Sequence, residues 1–520
     1  MGHTRKYLRA GIGALAGFAA VIATVPGPSA AEGTPPPVTP ARSVPGTPAP
    51  LTITTEGGVP ITSRDEYVNG SMLLDGVQRT IEIRGRGNST WTWPKKPYKI
   101  KLAEDAALLG TEPRDEWVLL ANYADRSALR TFLAMSLGAS TRLAFTPRTR
   151  FVDVVLNGTP IGLYLLTDQV EQGTERVELP DKGFLLEINK RFREQGDRGF
   201  WSDHRMPVSF KDPDEPNRTQ RQKVRGAVNR FEQALYGKDF TDPETGYASH
   251  IDVESFIDWY LVEELFLNQD SYFATSVHFT WSPGGEIAMG PLWDFDLSAG
   301  TKWNATSSPE GYYTRHHGEH WIDRLFDDPA FTRAVKARWA QLRPVVDTMI
   351  AEIPAAADVI RPSALTNWAI WPETTESELK GSVHADTFDG EVSFLRNWLA
   401  TRAVWMSRDE AIFGVASSRI RERAGVIEVP VRIIAEQFRP VQVAYTVAPG
   451  SATRGEDFRV IGNTLTFGPG ENVKTLKLRI LDDHEAEGPE KVVLKLDGAA
   501  SGVPLSDPST VTFTIMRNDQ

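Results

Sequence analysis

The feature that most limits what this chain can fold into is a change of hydrophobic period near Gly414. Upstream, apolar residues recur at helical spacing. The face Leu129, Phe132, Leu133 and Leu137 lies within a helix expected over residues 127–138, and Val253, Phe256, Ile257, Tyr260, Leu261 and Leu265 form the stripe of another. Asp252 reads as the N-cap of that second helix, which should run to Leu267, and helical patterns continue over 331–349 and 390–406. Downstream the helical period vanishes. Residues 426–434, 441–447, 463–467, 474–481, 491–496 and 509–516 are six short strand-like runs separated by turn residues, which argues for a β-sandwich. One chain therefore carries two differently built bodies. With no cysteine in 520 residues, neither can rely on disulfides, thiolate metal ligands or a cysteine nucleophile.

Within the first body, Pro291-Leu292-Trp293-Asp294-Phe295-Asp296 sets two carboxylates one residue apart among bulky apolar neighbours. Buried carboxylates are costly unless something positive pairs with them. A nucleotide-borne Mg²⁺ suits such a pair, because it takes oxygen ligands and often only one or two carboxylates. Between Asp270 and Asp294 the chain reads as a hairpin: a strand over 277–281, the turn Ser282-Pro283-Gly284-Gly285, and a return strand over 286–289. A hairpin brings its ends together, so both acids can face one site. One acid for a hydroxyl proton and another for a metal is what phosphoryl transfer requires. The alternative is an ordinary loop with satisfied carboxylates.

Residues 84–102 hold six basic side chains and no acid, in a chain of net charge −11. Gly85 and Gly87 permit close backbone approach to phosphate oxygens, and Asn88, Ser89 and Thr90 supply short donors. Alternation over Tyr98–Leu102 puts Lys99 and Lys101 on one face of a strand. A solvated basic hairpin is the competing reading; the acidic balance gives no support for general nucleic-acid binding.

Those residues, with Trp117–Leu120, Asn122-Tyr123-Ala124-Asp125-Arg126-Ser127, Val155-Leu156-Asn157-Gly158, Gly162–Leu166, Asn268-Gln269-Asp270 and Trp293-Asp294-Phe295-Asp296, resemble the CotH spore-coat kinase family over about residues 51–410. The resemblance implies an α+β, atypical two-lobed protein-kinase-like domain that binds ATP with Mg²⁺ or Mn²⁺ and phosphorylates secreted proteins. It implies Asp270 as catalytic acid, Asp294 and Asp296 as metal ligands, and Arg84, Lys95, Lys99, Lys101 and Asn268 at the nucleotide. Ala274-Thr275-Ser276 stands where the family commonly carries an asparagine metal ligand, which keeps a catalytically inactive surface or envelope-assembly protein as the alternative.

Residues 412–520 resemble the Calx-beta domain, an all-β immunoglobulin-like sandwich, on Gly455-Glu456-Asp457-Phe458 and Asp482-Asp483-His484-Glu485-Ala486-Glu487-Gly488 among other segments. That resemblance implies Ca²⁺ at Glu422, Asp457, Asp482, Asp483, Glu487 and Asp519, with Arg517 as a cation that can replace it. Basic residues, an apolar run and Ser29-Ala30-Ala31 read as a secretory signal over 1–31, followed by a Pro-rich linker over 32–50. Secretion to the cell surface or beyond, an extracellular protein substrate and no lasting membrane span are the resulting expectations. His316-His317-Gly318-Glu319-His320 also matches an inverted zinc-hydrolase pattern, with Glu373, Glu376 or Glu378 as a further ligand, but Gly318 weakens the helix it needs.

Overall fold

A computed structural model describes residues 43–520 apart from 111, 272, 302–307, 315–319, 373–381, 408–409, 415–416, 435–440, 469–470, 472, 483–487, 498–504, 506–507 and 517–520. The expected signal and most of the linker lie outside the described residues, as do His316, His317, Glu319, Glu373, Glu376, Glu378, Asp483, Glu487, Arg517 and Asp519.

The first seven strands are β1 (Ala49–Thr55), β2 (Val68–Leu74), β3 (Val77–Gly85), β4 (Tyr98–Ala106), β5 (Arg114–Leu120), β6 (Thr149–Leu156) and β7 (Thr159–Asp168). They close into a barrel in the order β1-β2-β3-β4-β5-β7-β6, sealed where β1 pairs in parallel with β6, Leu51 opposite Val154. Closure removes the exposed sheet edges that invite pairing with other chains. The strand period of two decides which side chains fill it. Leu51, Ile53, Met72, Ile83, Ile100, Trp117, Val152 and Tyr164 are buried in its core, while Lys99 and Lys101 alternate with the buried Tyr98, Ile100 and Leu102 and turn outward.

The second part of this body is a five-stranded sheet, ordered β12-β11-β8-β10-β9, packed with helices. Its strands are β8 (Phe184–Ile188), β9 (Gly199–Trp201), β10 (Pro207–Asp212), β11 (Val277–Trp281) and β12 (Ala288–Met289). The helices are α1 (Arg130–Gly138), α2 (Arg218–Tyr236), α3 (Val253–Phe266), α4 (Trp321–Leu325), α5 (Pro329–Ile370) and α6 (Phe388–Met406). Asp252 caps α3 by accepting from Ser255 N at 3.2 Å, and Leu267 ends it in the left-handed conformation. The helix expected from residue 127 starts at Arg130 instead. Asp125 accepts from Ser127 N and Arg130 N, and those bonds hold the preceding residues in a turn.

Helix α5 runs 21 residues past the expected end at Met349, through Pro344, Pro354 and Pro362. An interior proline loses a hydrogen bond and crowds the preceding turn. Here Val346, Met349, Ile353, Ala357, Ile360 and Ala364 continue one buried stripe across those positions, and that burial outweighs the local cost. At one end Arg338 pairs with Asp258 of α3 at 2.6 Å. At the other, Asn367 Oδ1 accepts from Leu163 N of β7 at 3.2 Å.

Beyond residue 409 the chain forms two facing sheets. One holds β13 (Glu410–Phe413), β15 (Val426–Ile434), β17 (Phe458–Ile461) and β19 (Val473–Ile480); the other holds β14 (Ser417–Arg421), β16 (Val441–Ala448), β18 (Thr464–Phe467), β20 (Glu490–Asp497) and β21 (Thr510–Met516). Alternate residues, among them Val429, Val431, Val443, Tyr445, Leu476, Leu478, Leu494 and Phe513, meet in a separate core. Among the described residues no helix is long and apolar enough to cross a membrane.

Candidate active site

A cavity of about 850 Å³ opens where the β3–β4 turn and the segment after β5 meet the end of β8, the segment after α3, and the loop after β12. The hairpin does what its ends require. Asp270, before β11, and Asp294 and Asp296, after β12, all line this one cavity. The chain bends sharply to deliver them: Leu267, Phe273, Ser276, Asp294 and Ala299 all take positive φ. Non-glycine residues held there are uncommon and cluster where a site over-determines its backbone.

Asp294 Oδ2 accepts from Ser276 Oγ at 3.0 Å, and its main-chain oxygen accepts from Asn268 Nδ2 at 3.2 Å. Behind this loop, fully buried Arg130 pairs with Asp125 at 2.5 Å and donates to the carbonyls of Ser298 (2.9 Å) and Ala299 (3.3 Å). The Asp125 turn and α1 are thereby bolted to the segment carrying Asp294 and Asp296.

The three acids perturb one another. Burial, then the Asp294 charge, pushes Asp270 up to about 7, with Arg191 and Lys190 opposing the rise. Burial raises Asp294, against the Ser276 hydrogen bond and the Arg86 charge. Asp296 is raised well above the usual carboxylate range by burial, then by Asp294, Asp270 and Asp125. Asp294 and Asp296 are only half-buried by exposure, because the cavity itself wets them; dense protein on their other sides still makes desolvation the leading effect. Arg86 stands against them, its guanidinium 5.1 Å from the Trp293 ring centroid, and burial lowers its pKa to about 10 while Asp294 opposes that.

The opposite wall is also charged. Buried Glu187 accepts from Ser276 N (3.0 Å) and lies 3.4 Å from Lys211, which also reaches Asp197 at 3.4 Å. Burial brings His278 down to about 4, so it is neutral at pH 7.

The donor set that lines the cavity fits a nucleotide-borne hard cation: it is all oxygen, and the acids repel one another. Among the described residues no cluster of three or more His, Cys, Asp or Glu side chains is placed to hold a metal alone. Mg²⁺ commonly takes one or two carboxylates and completes its shell with phosphate oxygens and water.

The strand lysines do not reach the cavity. Lys99 pairs with Glu116 at 2.6 Å and Lys101 with Asp115 at 3.8 Å, both on β5, because the barrel interior claims the apolar face of β4. Arg84 donates to the Arg64 carbonyl and lies 5.0 Å from the Tyr67 ring centroid. Lys95 is 1% exposed, donating to the carbonyls of Ala121 and Leu163 and to Asn367 Oδ1, 4.3 Å from the Tyr164 ring centroid. Asn268 sits behind Asp294. The cations that do line the cavity are Arg86, Lys190, Arg191 and Lys211. Arg86 was visible in sequence as the basic residue between two glycines. The other three carry no motif and converge only through the β8–β10 pairing.

In the sandwich, Ile480 N donates to Gly425 O at 2.7 Å and Leu481 N to Asp457 O at 2.8 Å. These bonds bring the Glu422 turn, Asp457 and Asp482 to the same end.

Comparison with known proteins agrees with this division. The family model described as CotH kinase protein matches residues 83–406, and that of the Calx-beta domain matches residues 407–519. An adhesion G-protein coupled receptor V1 of Danio rerio is 40% identical over 82 residues, 15% of this chain and 1% of the receptor. Extracellular matrix protein 3 of Lytechinus variegatus is 43% identical over 70 residues, 13% of this chain and 2% of that protein. The chain thus spans only 1–2% of the length of these curated relatives. Among solved structures, the apo-form Calx CBD1 domain matches with 25% identity and a TM-score of 0.21, covering 22% of this chain and 99% of the domain. With the family model spanning most of its length, the chain belongs to the CotH kinase protein family and carries a Calx-beta domain after its kinase-family region.

Proposed function

We propose that this chain is a secreted kinase that transfers the γ-phosphoryl group of ATP to a serine or threonine hydroxyl of an extracellular or cell-surface protein. The observation that carries the reading is the convergence of Asp270, Asp294 and Asp296 with Arg86 on one cavity. Asp294 and Asp296 would hold the divalent metal, which supplies charge neutralisation at the phosphates. Arg86, steadied against Trp293, meets phosphate oxygens in a wall that is otherwise acidic. Asp270, with a pKa near 7, accepts the proton as the acceptor oxygen bonds to the γ-phosphorus and the bond to the ADP oxygen breaks. The signal-like pattern over 1–31 supports export, and the acids at one end of the sandwich support calcium binding there.

Calorimetry of ATP with Mg²⁺ or Mn²⁺ on the full chain tests this. Asp294→Ala abolishes metal-dependent binding, whereas Asp270→Ala retains binding and loses transfer. Absence of ATP binding to the folded wild type refutes the proposal. A second reading, a non-catalytic surface protein, is favoured by Thr275 and Ser276 at the family's asparagine position, Ser276 being already bonded to Asp294. It predicts that partner binding survives in the Asp270→Ala/Asp294→Ala double variant.

A further inference from the structure

The cations of the cavity come from different elements, Arg86 from the β3–β4 turn and Lys190 and Arg191 from the segment after β8. Arg86 acts on Asp294, whereas Lys190 and Arg191 act on Asp270. Lys190 and Arg191 are exposed at the cavity rim, and neither forms an ion pair with a described residue. Lys211 differs, being engaged by Glu187 and Asp197.

The pair is also held in place. Lys190 N donates to Ala274 O at 2.8 Å, tying it to the segment that follows Asp270. Arg191 N donates to Asn189 Oδ1 at 2.9 Å, and Asn189 Nδ2 donates in turn to Gln195 at 2.7 Å and Glu187 at 3.2 Å. Two exposed cations on a fixed backbone, forming no ion pair with a described residue, thus line the cavity beside Asp270, the group on which they act.

We infer that Lys190 and Arg191 select the acceptor, favouring a serine or threonine flanked by acidic residues. This rests on the kinase reading for the identity of the acceptor. Flanking carboxylates reach the rim cations while the hydroxyl faces Asp270, and basic flanks meet repulsion there. The triphosphate is assigned to Arg86, from the β3–β4 turn, which leaves Lys190 and Arg191 for the acceptor.

The test uses the full chain and two fluorescent serine peptides, one with aspartates flanking the serine and one with neutral flanks. Binding is read by anisotropy with and without Mg·ATP. Two partly exposed ion pairs correspond to about tenfold tighter binding of the acidic peptide, and the preference shrinks as salt rises. The Lys190→Ala/Arg191→Ala variant loses the preference with its affinity for Mg·ATP unchanged, and Arg191→Gln alone lies between. Equal binding of both peptides, or preference for lysine flanks, overturns the inference. So does a matching loss of Mg·ATP affinity in the double variant, which assigns the pair to the triphosphate. Acidic preference in a folded chain that binds no Mg·ATP leaves the selectivity standing and removes the kinase reading instead.

Discussion

Replacing Arg130 by methionine should cost about 3–5 kcal/mol of stability in the first body. The side chain is fully buried and pairs with equally buried Asp125 at 2.5 Å. Removing one partner of a buried ion pair typically costs about 3–5 kcal/mol, because the other charge stays behind unpaired. Asp125 keeps three donors, Ser127 N, Ser127 Oγ and Arg130 N, which pulls the cost toward the lower end. The carbonyls of Ser298 and Ala299 lose their donor as well, adding about 1 kcal/mol or more each if buried and left unmet. Urea unfolding followed by tryptophan fluorescence isolates this body, since all 14 tryptophans precede residue 407. Adding Asp125→Asn to Arg130→Met should recover part of the loss, giving a coupling of about 1–3 kcal/mol in the double-mutant cycle. A single variant within about 1 kcal/mol of wild type refutes the reasoning, as does additivity of the two substitutions.

Lys95→Met should leave Mg·ATP affinity within about twofold while lowering stability by about 2–4 kcal/mol, since two carbonyls and Asn367 lose a buried donor; weakened nucleotide binding with stability intact contradicts this. Burial pushes Glu263 up to about 8, against hydrogen bonds from Ser271 and Asn268. A carboxyl raised in the fold contributes its stabilisation fully below about pH 4.5 and loses it as pH rises through about 8, on the order of 5 kcal/mol. Glu263→Gln should therefore flatten the fall in urea stability between pH 5 and 8, and an unchanged slope argues against it. Millimolar Ca²⁺ should raise the melting temperature of the sandwich in calorimetry and leave the tryptophan-monitored transition where it was; no shift in either rules out a calcium site.

Periodicity made the elements legible. The stripe of α3, its Asp252 cap and the hairpin after it are local patterns, and a hairpin has only one way to bring Asp270 toward Asp294. The facing of the basic strand was not legible. Alternation shows that Lys99 and Lys101 share a side of β4, but the closure of a seven-stranded barrel decides that this side meets Glu116 and Asp115. Lys95 escaped for a related reason: its three acceptors come from β5's end, β7 and α5, up to 272 residues away. Arg86 lies in a turn, where no strand register sends it elsewhere. Lys190 and Arg191 follow an apolar strand like many surface residues, and only the β8–β10–β11 pairing shows what they face.

The continuity of α5 bears on how the site can open. At 42 residues it is about 63 Å long, and its tail is fastened to the barrel by Asn367 and by Trp371 Nε1 donating to Ile161 O at 3.0 Å. Its head is clamped to α3, whose end launches Asp270. The Arg86 turn belongs to the barrel and the three acids to the helical part, so the α5 strut and the Arg130–Asp125 tie together set the gap between them. Clamshell rocking of one part on the other should thereby be suppressed, with substrate entry left to the rim loops. Spin labels on β2 and α2 should then report one narrow distance distribution, unchanged by nucleotide, and a nucleotide-dependent shift of several ångströms would show the strut to be a hinge.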